Sequence, residues 1–328
     1  MKKVLLTFDY EPFLYKTGNI EKTLILPTST LLKELSKNEM VATFFIDTLF
    51  LDRILKDAGS ESKLWSRVSG QILDIYNAKH EIALHLHPHW LDAEYNGMSE
   101  WDLSNVDKYR LHVLAANDID NLVKRSIDII RSIVGKDAWK EKISYRAGGW
   151  SIQPFSHLRS IFAKYNIAID SSVSAGISNT RSPFYYDFQS VENNMPYRFS
   201  SDVCLEDIKG EFLEVPITSY TYNFAMRLVS KIGKVLQPKK YSTFGRGVAI
   251  LDSDKKSIFK HLQSNITMLS IDRTSPSVFW YIVRTVKEKT VVIISHPKDY
   301  SPSSALCLKV VRQMKGVDFI AMSCVDKK

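Results

Sequence analysis

The sequence has few residues that could tie the chain together covalently, and it lacks any long apolar run. Only three cysteines occur among 328 residues, Cys204, Cys307 and Cys324. They are far apart and odd in number and form no Cys-x-x-Cys unit, so neither a disulfide framework nor a structural zinc site is expected. No window is long and apolar enough to span a bilayer. These absences favour a globular protein of a reducing compartment.

A secretion signal is also missing from the expected place. The first six residues carry two lysines and a short apolar run, but Asp9 interrupts that run at once. A first β-strand therefore fits better than a signal peptide. Together with the cysteine usage, this predicts a cytoplasmic location, with the inner face of the membrane as a further expectation.

Acidic residues are outnumbered by basic ones. The chain has 44 Lys and Arg against 36 Asp and Glu, which gives a net charge of +8. A basic balance raises the prior for anionic partners. The basic residues are scattered, however, and no recognition motif accompanies them, so a solvated basic surface is favoured and no nucleic-acid partner is predicted. The sequence does not indicate an oligomeric state.

Short apolar runs alternate with segments of helical period, and no low-complexity linker or fixed-period repeat separates them. This alternation is typical of βα units around a parallel sheet or barrel, which reach this length as one unit. We therefore predict one α/β domain over residues 1–328. Polar, turn-rich stretches near 90–112 and 174–210 break the rhythm, and in a barrel such loops shape the mouth.

The predicted elements follow from apolar runs and capping residues. The strands are Val4–Phe8, Val41–Ile46, Glu81–His85, Ile143–Tyr145, Ile167–Ile169, Phe212–Val215, Val291–Ile294 and Val317–Met322. The helices are Pro27–Lys37, Ser60–Ala78, Asn117–Val134, Pro154–Tyr165, Ser275–Lys287 and Ser303–Met314. The third helix is the clearest, because Asn117 can cap it and Gly135 ends it.

Ionisable residues follow the ends of several predicted strands. They are Asp9 and Glu11 after the first, His85 to His89 after the third, and Arg146, Asp170 and His296 after later ones. A barrel brings these ends to one mouth, where its active sites lie. Four of the eight histidines fall between His80 and His89. Because unpaired imidazoles are costly to bury, a shared metal explains such a cluster best, and the pattern predicts a metal-dependent hydrolase.

Five short motifs resemble, in order, those of the polysaccharide deacetylase superfamily (the nodulation-deacetylase homology domain, carbohydrate esterase family four). They are Thr7-Phe8-Asp9-Tyr10, His85-Leu86-His87-Pro88-His89 after His80-Glu81-Ile82-Ala83, Arg146-Ala147-Gly148-Gly149-Trp150, Asp170-Ser171-Ser172, and Ile293-Ile294-Ser295-His296-Pro297. The fourth is the weakest match. The resemblance implies a distorted (β/α) barrel and a divalent metal, usually zinc, held by one carboxylate and two histidines.

The resemblance also implies the metal ligands. His85 and His89 match the family's histidines, while His87 stays open as a substitute because strand alternation would put all three on one face. Where the family has a second aspartate, this chain has Tyr10. Glu11 is the candidate replacement, since residues two apart in an extended segment point to the same side, as Asp9 and Glu11 would.

The remaining roles follow the same resemblance. Asp9 would take the proton of the attacking water, Arg146 would hold Asp9 in place, and His296 would protonate the departing amine. Asp170 is expected either to orient His296 or to be a strand-end aspartate without a catalytic role. Candidate sugar contacts are Tyr10, Trp90 and Trp150, with packing at the barrel mouth as the alternative for the tryptophans.

These roles predict a zinc-dependent hydrolase that removes an N-acetyl group from a sugar unit of a polysaccharide or lipid-linked glycan precursor. A biosynthetic role in surface polysaccharide is the expected setting. Two alternatives stay open. The same machinery could hydrolyse a small cyclic amide, or the chain could be a degenerate carbohydrate-binding or scaffold protein, a reading that Tyr10 favours.

Residues 221–240 carry one further pattern. Phe224, Leu228 and Ile232 are spaced at i, i+4, while Arg227 and Lys231 fall on another face. An ordinary helix packed on the barrel exterior shows this period and is the favoured interpretation. The alternative is a peripheral membrane contact, because a basic amphipathic helix can lie on an anionic membrane surface.

Overall fold

A computed structural model describes residues 1–136, 139, 142–245, 247–248 and 265–325, and the other positions of the predicted domain lie outside it. The strands are β1 Lys2–Tyr10, β2 Thr43–Asp47, β3 Glu81–Leu86, β4 Glu94–Tyr95, β5 Trp101–Asp102, β6 Ile143–Ala147, β7 Ile167–Asp170, β8 Ser178–Asn179, β9 Tyr186–Asp187, β10 Tyr197–Phe199, β11 Phe212–Glu214, β12 Ser219–Tyr222, β13 Asn265–Met268, β14 Thr290–Ser295 and β15 Val317–Phe319. The helices are α1 Leu26–Lys37, α2 Thr48–Asp57, α3 Lys63–Asn77, α4 Ala116–Val134, α5 Arg159–Lys164, α6 Phe224–Leu236, α7 Pro276–Thr285 and α8 Pro302–Arg312. No helix among the described residues is long and apolar enough to cross a membrane.

One sheet organises the molecule. Its strand order is β10-β11-β7-β6-β3-β2-β1-β14, with β15 also paired to β1. Only the β10–β11 pair of this sheet is antiparallel. Parallel strands covered on both faces are expected to be continuously apolar, as β1 and β14 are. The predicted α/β class is confirmed.

The two faces of the sheet bury two separate apolar clusters. The smaller cluster includes one residue from each of five strands: Leu5 of β1, Phe45 of β2, Ala83 of β3, Ile169 of β7 and Val292 of β14. The alternate residues, such as Val4, Leu6 and Phe8 on β1, pack in the larger cluster with the helices. Side chains from β7 and β14, which lie far apart in the strand order, share this cluster because the sheet curves around it.

The ends of this curved sheet approach each other without a regular ladder. In the described residues, the Thr218 N–H donates to the Val292 carbonyl at 3.1 Å, and the Val292 N–H donates to the Thr218 hydroxyl at 2.9 Å. Ser270 and Ile294 form an isolated parallel bridge. Individual bonds, rather than continuous strand pairing, therefore connect the β11 side to β14.

The structure corrects several element predictions. Asn117 does not cap α4, because the helix already begins at Ala116 and Ala115 occupies the N-cap without a side-chain bond. The helix predicted over 154–165 is α-helical only in α5, after a 3-10 turn at Phe155–His157. Three further elements, α2, β12 and β13, were not predicted from the sequence. The stretch 174–210, predicted to be irregular, contributes the edge strand β10.

Candidate active site

Alternation along β1 decides which of its terminal side chains reach the inner face. Asp9 and Glu11 are both buried there, near side chains from the ends of β3, β6 and β14. Tyr10 points the other way, and its hydroxyl donates to the Gln71 side chain of α3 at 2.9 Å. The same-side prediction for Asp9 and Glu11 is consistent with this arrangement. Tyr10, the candidate sugar contact, is a fully buried residue that packs toward the helix layer.

A carboxylate and two imidazoles meet at the end of β3. The Glu11 Oε2 atom lies 2.6 Å from His87 Nε2 and 3.0 Å from His85 Nε2, and the two ring nitrogens are 3.0 Å apart. All three side chains are buried. Their ligand atoms lie within 4.8 Å of one another, close enough to share one ion. One Glu and two His form a known ligand set of hydrolytic zinc.

The surroundings of this cluster orient its donors. His85 Nδ1 lies 2.7 Å from the Arg146 carbonyl, a contact that orients the ring with Nε2 facing Glu11. Lys298 donates to Glu11 Oε1 at 2.6 Å and to the Pro12 carbonyl at 3.1 Å. Burial alone would raise the pKa of Glu11, but Lys298 and the two histidines hold it well below its ordinary value. Glu11 is therefore an anion, and Lys298 pairs with its Oε1 atom while Oε2 faces the two histidines.

His89, the second histidine ligand implied by the resemblance, lies outside this cluster. The strand ends at Leu86 and a 3-10 turn begins at Pro88, so the alternation of β3 stops before His89. The His89 ring stacks on Tyr109 with centroids 5.4 Å apart. Burial, with the charge of His87, lowers the pKa of His89 to about 3. The structure thus places His87 in the position that we had assigned to His89.

Asp9 is held by a buried arginine. Its Oδ1 accepts a hydrogen bond from Arg146 at 2.5 Å, and the guanidinium is fully enclosed. Arg146 also donates to Thr7 at 3.0 Å and to the Ser171 carbonyl at 2.8 Å, and it stacks over the Phe45 ring. These contacts fix the guanidinium plane against the Asp9 carboxylate.

His296 completes the site from the end of β14. Its Nε2 atom lies 3.6 Å from Asp9 Oδ2 and 3.7 Å from Glu11 Oε1. Its Nδ1 atom lies 2.7 Å from Asp272 Oδ2, and Asp272 also accepts from the His296 backbone N–H. Burial works to lower the pKa of His296, but the hydrogen bond and charge of Asp272 outweigh it and raise that pKa to about 9. His296 is therefore a cation near neutral pH.

Asp170 does not perform the orienting role considered for it. Its carboxylate accepts from the Ser172 hydroxyl at 2.8 Å and shares a hydrogen bond with Glu214 on β11. Burial raises the pKa of Asp170 and raises that of Glu214 further, so the pair retains a proton. The carboxylate that is hydrogen-bonded to His296 Nδ1 is that of Asp272.

The tryptophans differ in their surroundings. Trp90 is buried, donates to Asp47 at 2.6 Å, and packs against Phe50 and Trp101. It belongs to the packing layer behind the site. Trp150 is half-buried, follows Gly149 directly and meets the Tyr186 ring edge-on at 5.8 Å. Of the two candidate tryptophans, Trp150 is therefore the one with exposed surface that a ligand could contact.

Sequence reasoning missed two residues of the site. Asp272 follows the apolar run of β13 and Leu269, the same strand-end signal that singled out Asp9, but that strand had not been recognised. Lys298 lies two residues after His296 in a turn, and nothing in the local sequence marks it. Its contact with Glu11 spans 287 positions of the chain.

Comparison with known proteins shows a shared fold. No family model and no curated protein matches the sequence. A "putative polysaccharide deacetylase" from Mycobacterium smegmatis aligns with 98% of this chain and 87% of its own, at 15% identity and a TM-score of 0.51. A polysaccharide deacetylase from Bacillus cereus aligns at 14% identity, with 98% and 92% coverage and a TM-score of 0.42. A CE4 family pseudoenzyme from Bacillus anthracis aligns at 13% identity, with 96% of this chain and 63% of its own covered and a TM-score of 0.40. The first of these confirms the predicted resemblance at the level of the fold.

Proposed function

We propose, from the fold shared with a polysaccharide deacetylase, that this chain is a zinc-dependent hydrolase that removes N-acetyl groups from a sugar unit. The substrate would be a polysaccharide or a lipid-linked glycan precursor. The observation that carries the proposal is the convergence of Glu11, His85 and His87 beside two further pairs, Asp9–Arg146 and His296–Asp272. A set of metal-ligand side chains, a base and an acid within one buried site are what metal-dependent amide hydrolysis needs.

The donor set fits a zinc ion. Two ring nitrogens and the Oε2 atom of Glu11 converge, and Lys298 occupies the other carboxylate oxygen, Oε1. Glu11, His85 and His87 would hold the ion, in place of the aspartate and second histidine that the resemblance implied. When bound, such an ion makes water a stronger acid and an acetyl carbonyl a better electrophile.

The protein's own residues would supply the proton transfers. Asp9, fixed by Arg146, would accept the proton of the attacking water. His296 lies within 4 Å of Asp9 and is cationic near neutral pH because of Asp272, so it would donate its Nε2 proton to the departing sugar amine. Burial of both pairs strengthens these interactions, since the surroundings have a low dielectric constant.

The first experiment measures zinc content and deacetylation together. Purified protein should bind close to one zinc per chain and release acetate from N-acetylglucosamine oligomers. His87→Ala should lose both properties, whereas His89→Gln should retain zinc. His157→Ala, at an exposed histidine, is the matched control. Zinc retained in His87→Ala but lost in His89→Gln would contradict the ligand assignment.

Experiments on the same purified protein distinguish two other functions from the proposed one. Zinc binding with hydrolysis of a small cyclic amide, but not of acetylated sugars, would change the substrate class and keep the site. The binding or scaffold alternative is favoured by Lys298, because its ammonium group already neutralises the Glu11 carboxylate as a metal ion would. It predicts a protein without zinc or turnover, whose affinity for glycan is unaffected by His296→Ala.

A further inference from the structure

Helix α6 turns its apolar side chains outward. Phe224, Leu228 and Ile232 are each about half exposed, and the exposed fractions of Val235 and Leu236 are 69% and 74%. These residues recur at spacings of three and four, so they form one stripe along the helix. A stripe of this kind normally faces the core of a soluble protein. Here it faces away from the barrel.

The face of α6 that packs on the protein includes the half-buried Met226 and two small residues, Ser230 and Gly233. Ser230 is its buried residue. A Cβ atom at Gly233 would come within 2.8 Å of the Tyr241 hydroxyl, so this glycine allows a close approach. The apolar stripe therefore contributes little to burial in this fold, and its hydrophobicity needs another explanation.

The charge around this stripe has one sign. From Val215 to Leu251 the sequence has six Lys and Arg residues and no Asp or Glu. Lys231, Lys234 and Lys239 are exposed on α6 or just after it. The neighbouring helix α7 adds Tyr281, which is 49% exposed and lines a groove together with Val229 of α6.

We propose that the exposed side chains of residues 224–240, together with Tyr281, form a surface that binds an anionic lipid membrane. We refer to these residues as the α6 surface. An apolar stripe flanked by lysines and an aromatic ring is the composition of helices that lie in the membrane interface. A nucleic acid would leave the apolar stripe exposed to water. A second copy of the chain would bring like charges together, which is unfavourable.

The α6 surface is continuous in sequence with the rim of the active site. Beyond Tyr241 the chain reaches Val248, whose backbone bonds to Tyr15 and Lys16, shortly after Glu11. Membrane binding would thus bring the site to substrates carried by lipids. This second step rests on the proposed function, whereas binding to the membrane itself does not.

The test is co-sedimentation of the full chain with vesicles, without any substrate. Vesicles of phosphatidylcholine alone are compared with vesicles that contain phosphatidylglycerol. Binding is expected only with phosphatidylglycerol, and it should weaken as salt rises because the charges are screened. Lys231→Glu/Lys234→Glu should reduce the partition coefficient at least about 30-fold, since each lysine near such a surface is worth about fivefold. Val235→Ser/Leu236→Ser should also reduce it.

Matched variants elsewhere separate this surface from general charge and stickiness. Lys33→Glu/Lys37→Glu makes the same charge change on α1, and Leu205→Ser/Ile208→Ser removes two other exposed apolar side chains. Both controls should bind vesicles like the wild type. The proposal is overturned by no vesicle binding, by equal losses in the controls, or by a lipid-free dimer that Val235→Ser/Leu236→Ser dissociates. None of these outcomes bears on deacetylation, which is measured separately.

Discussion

Three histidines lie within five residues at the end of β3, yet only two of them point at Glu11. His85 and His87 are one strand step apart and share a face. His89 follows the turn at Pro88, and its ring packs against Tyr109 instead. At the scale of single residues, the backbone conformation between two imidazoles therefore decides which pair can share an ion.

Asp272 gives the residue scale its first prediction. Asp272→Asn removes the charge that raises the pKa of His296, so burial should then lower that pKa. Because the proposed mechanism needs the protonated imidazole, the alkaline limb of the pH–rate profile should move to lower pH. The value of kcat should fall about 10- to 100-fold, a part of what general acid catalysis is worth.

Asp299→Asn serves as the matched control for this variant. Asp299 is close to Asp272, and its substitution removes the same charge. Among the described contacts, however, the Asp299 carboxylate makes no hydrogen bond to His296. The alkaline limb should shift less than in Asp272→Asn. Equal shifts in both variants would mean that general charge, rather than the direct hydrogen bond, tunes His296.

At the scale of elements, the C-terminus of α4 depends on a glycine. Gly135 has φ 98° and ψ 156°, a conformation that is nearly restricted to glycine. Gly135→Ala should destabilise the protein by about 1–3 kcal/mol for this backbone strain. Chemical denaturation measures the change. Gly70→Ala, inside α3 where an added Cβ meets nothing within 4 Å, should instead stabilise by about 0.5–1 kcal/mol.

The pair that joins β7 to β11 predicts a pH-dependent stability. Burial raises the pKa of Glu214 well above its ordinary value, so the folded protein binds more protons than the unfolded chain. The free energy of unfolding should therefore fall as pH rises above the unfolded pKa of Glu214. Glu214→Gln mimics the protonated acid and removes this loss. Its stability advantage over the wild type should grow from pH 4 to pH 8, a range set by the ordinary pKa of about 4.3.

Urea denaturation across that range checks the prediction for Glu214. Glu206→Gln changes an exposed glutamate by the same atoms and should leave the pH dependence as in the wild type. An advantage of Glu214→Gln that is constant with pH would show that packing, rather than ionisation, distinguishes the variant.

At the scale of the whole molecule, Thr218 forms two of the hydrogen bonds that connect the two ends of the sheet. Its hydroxyl accepts the Val292 N–H, and both residues are buried. Thr218→Val keeps the shape but leaves that N–H unpaired, which should cost about 1–3 kcal/mol. Thr218→Ser keeps the hydroxyl and should preserve this bond. Amide exchange at Val292 should accelerate in Thr218→Val alone, and equal exchange in both variants would contradict the role of the hydroxyl.

The sequence by itself determined the α/β class and the strands whose ends carry Asp9, Glu11, Arg146 and His296. Periodicity and the alternation of side chains are local properties, and parallel strands bring their ends to one edge. The resemblance named the chemistry. Only the tertiary structure decided that His87 rather than His89 faces Glu11, that Asp272 rather than Asp170 contacts His296, and that Lys298 reaches Glu11. Those choices depend on how separate segments pack, because contacts across 287 positions leave no trace in local patterns.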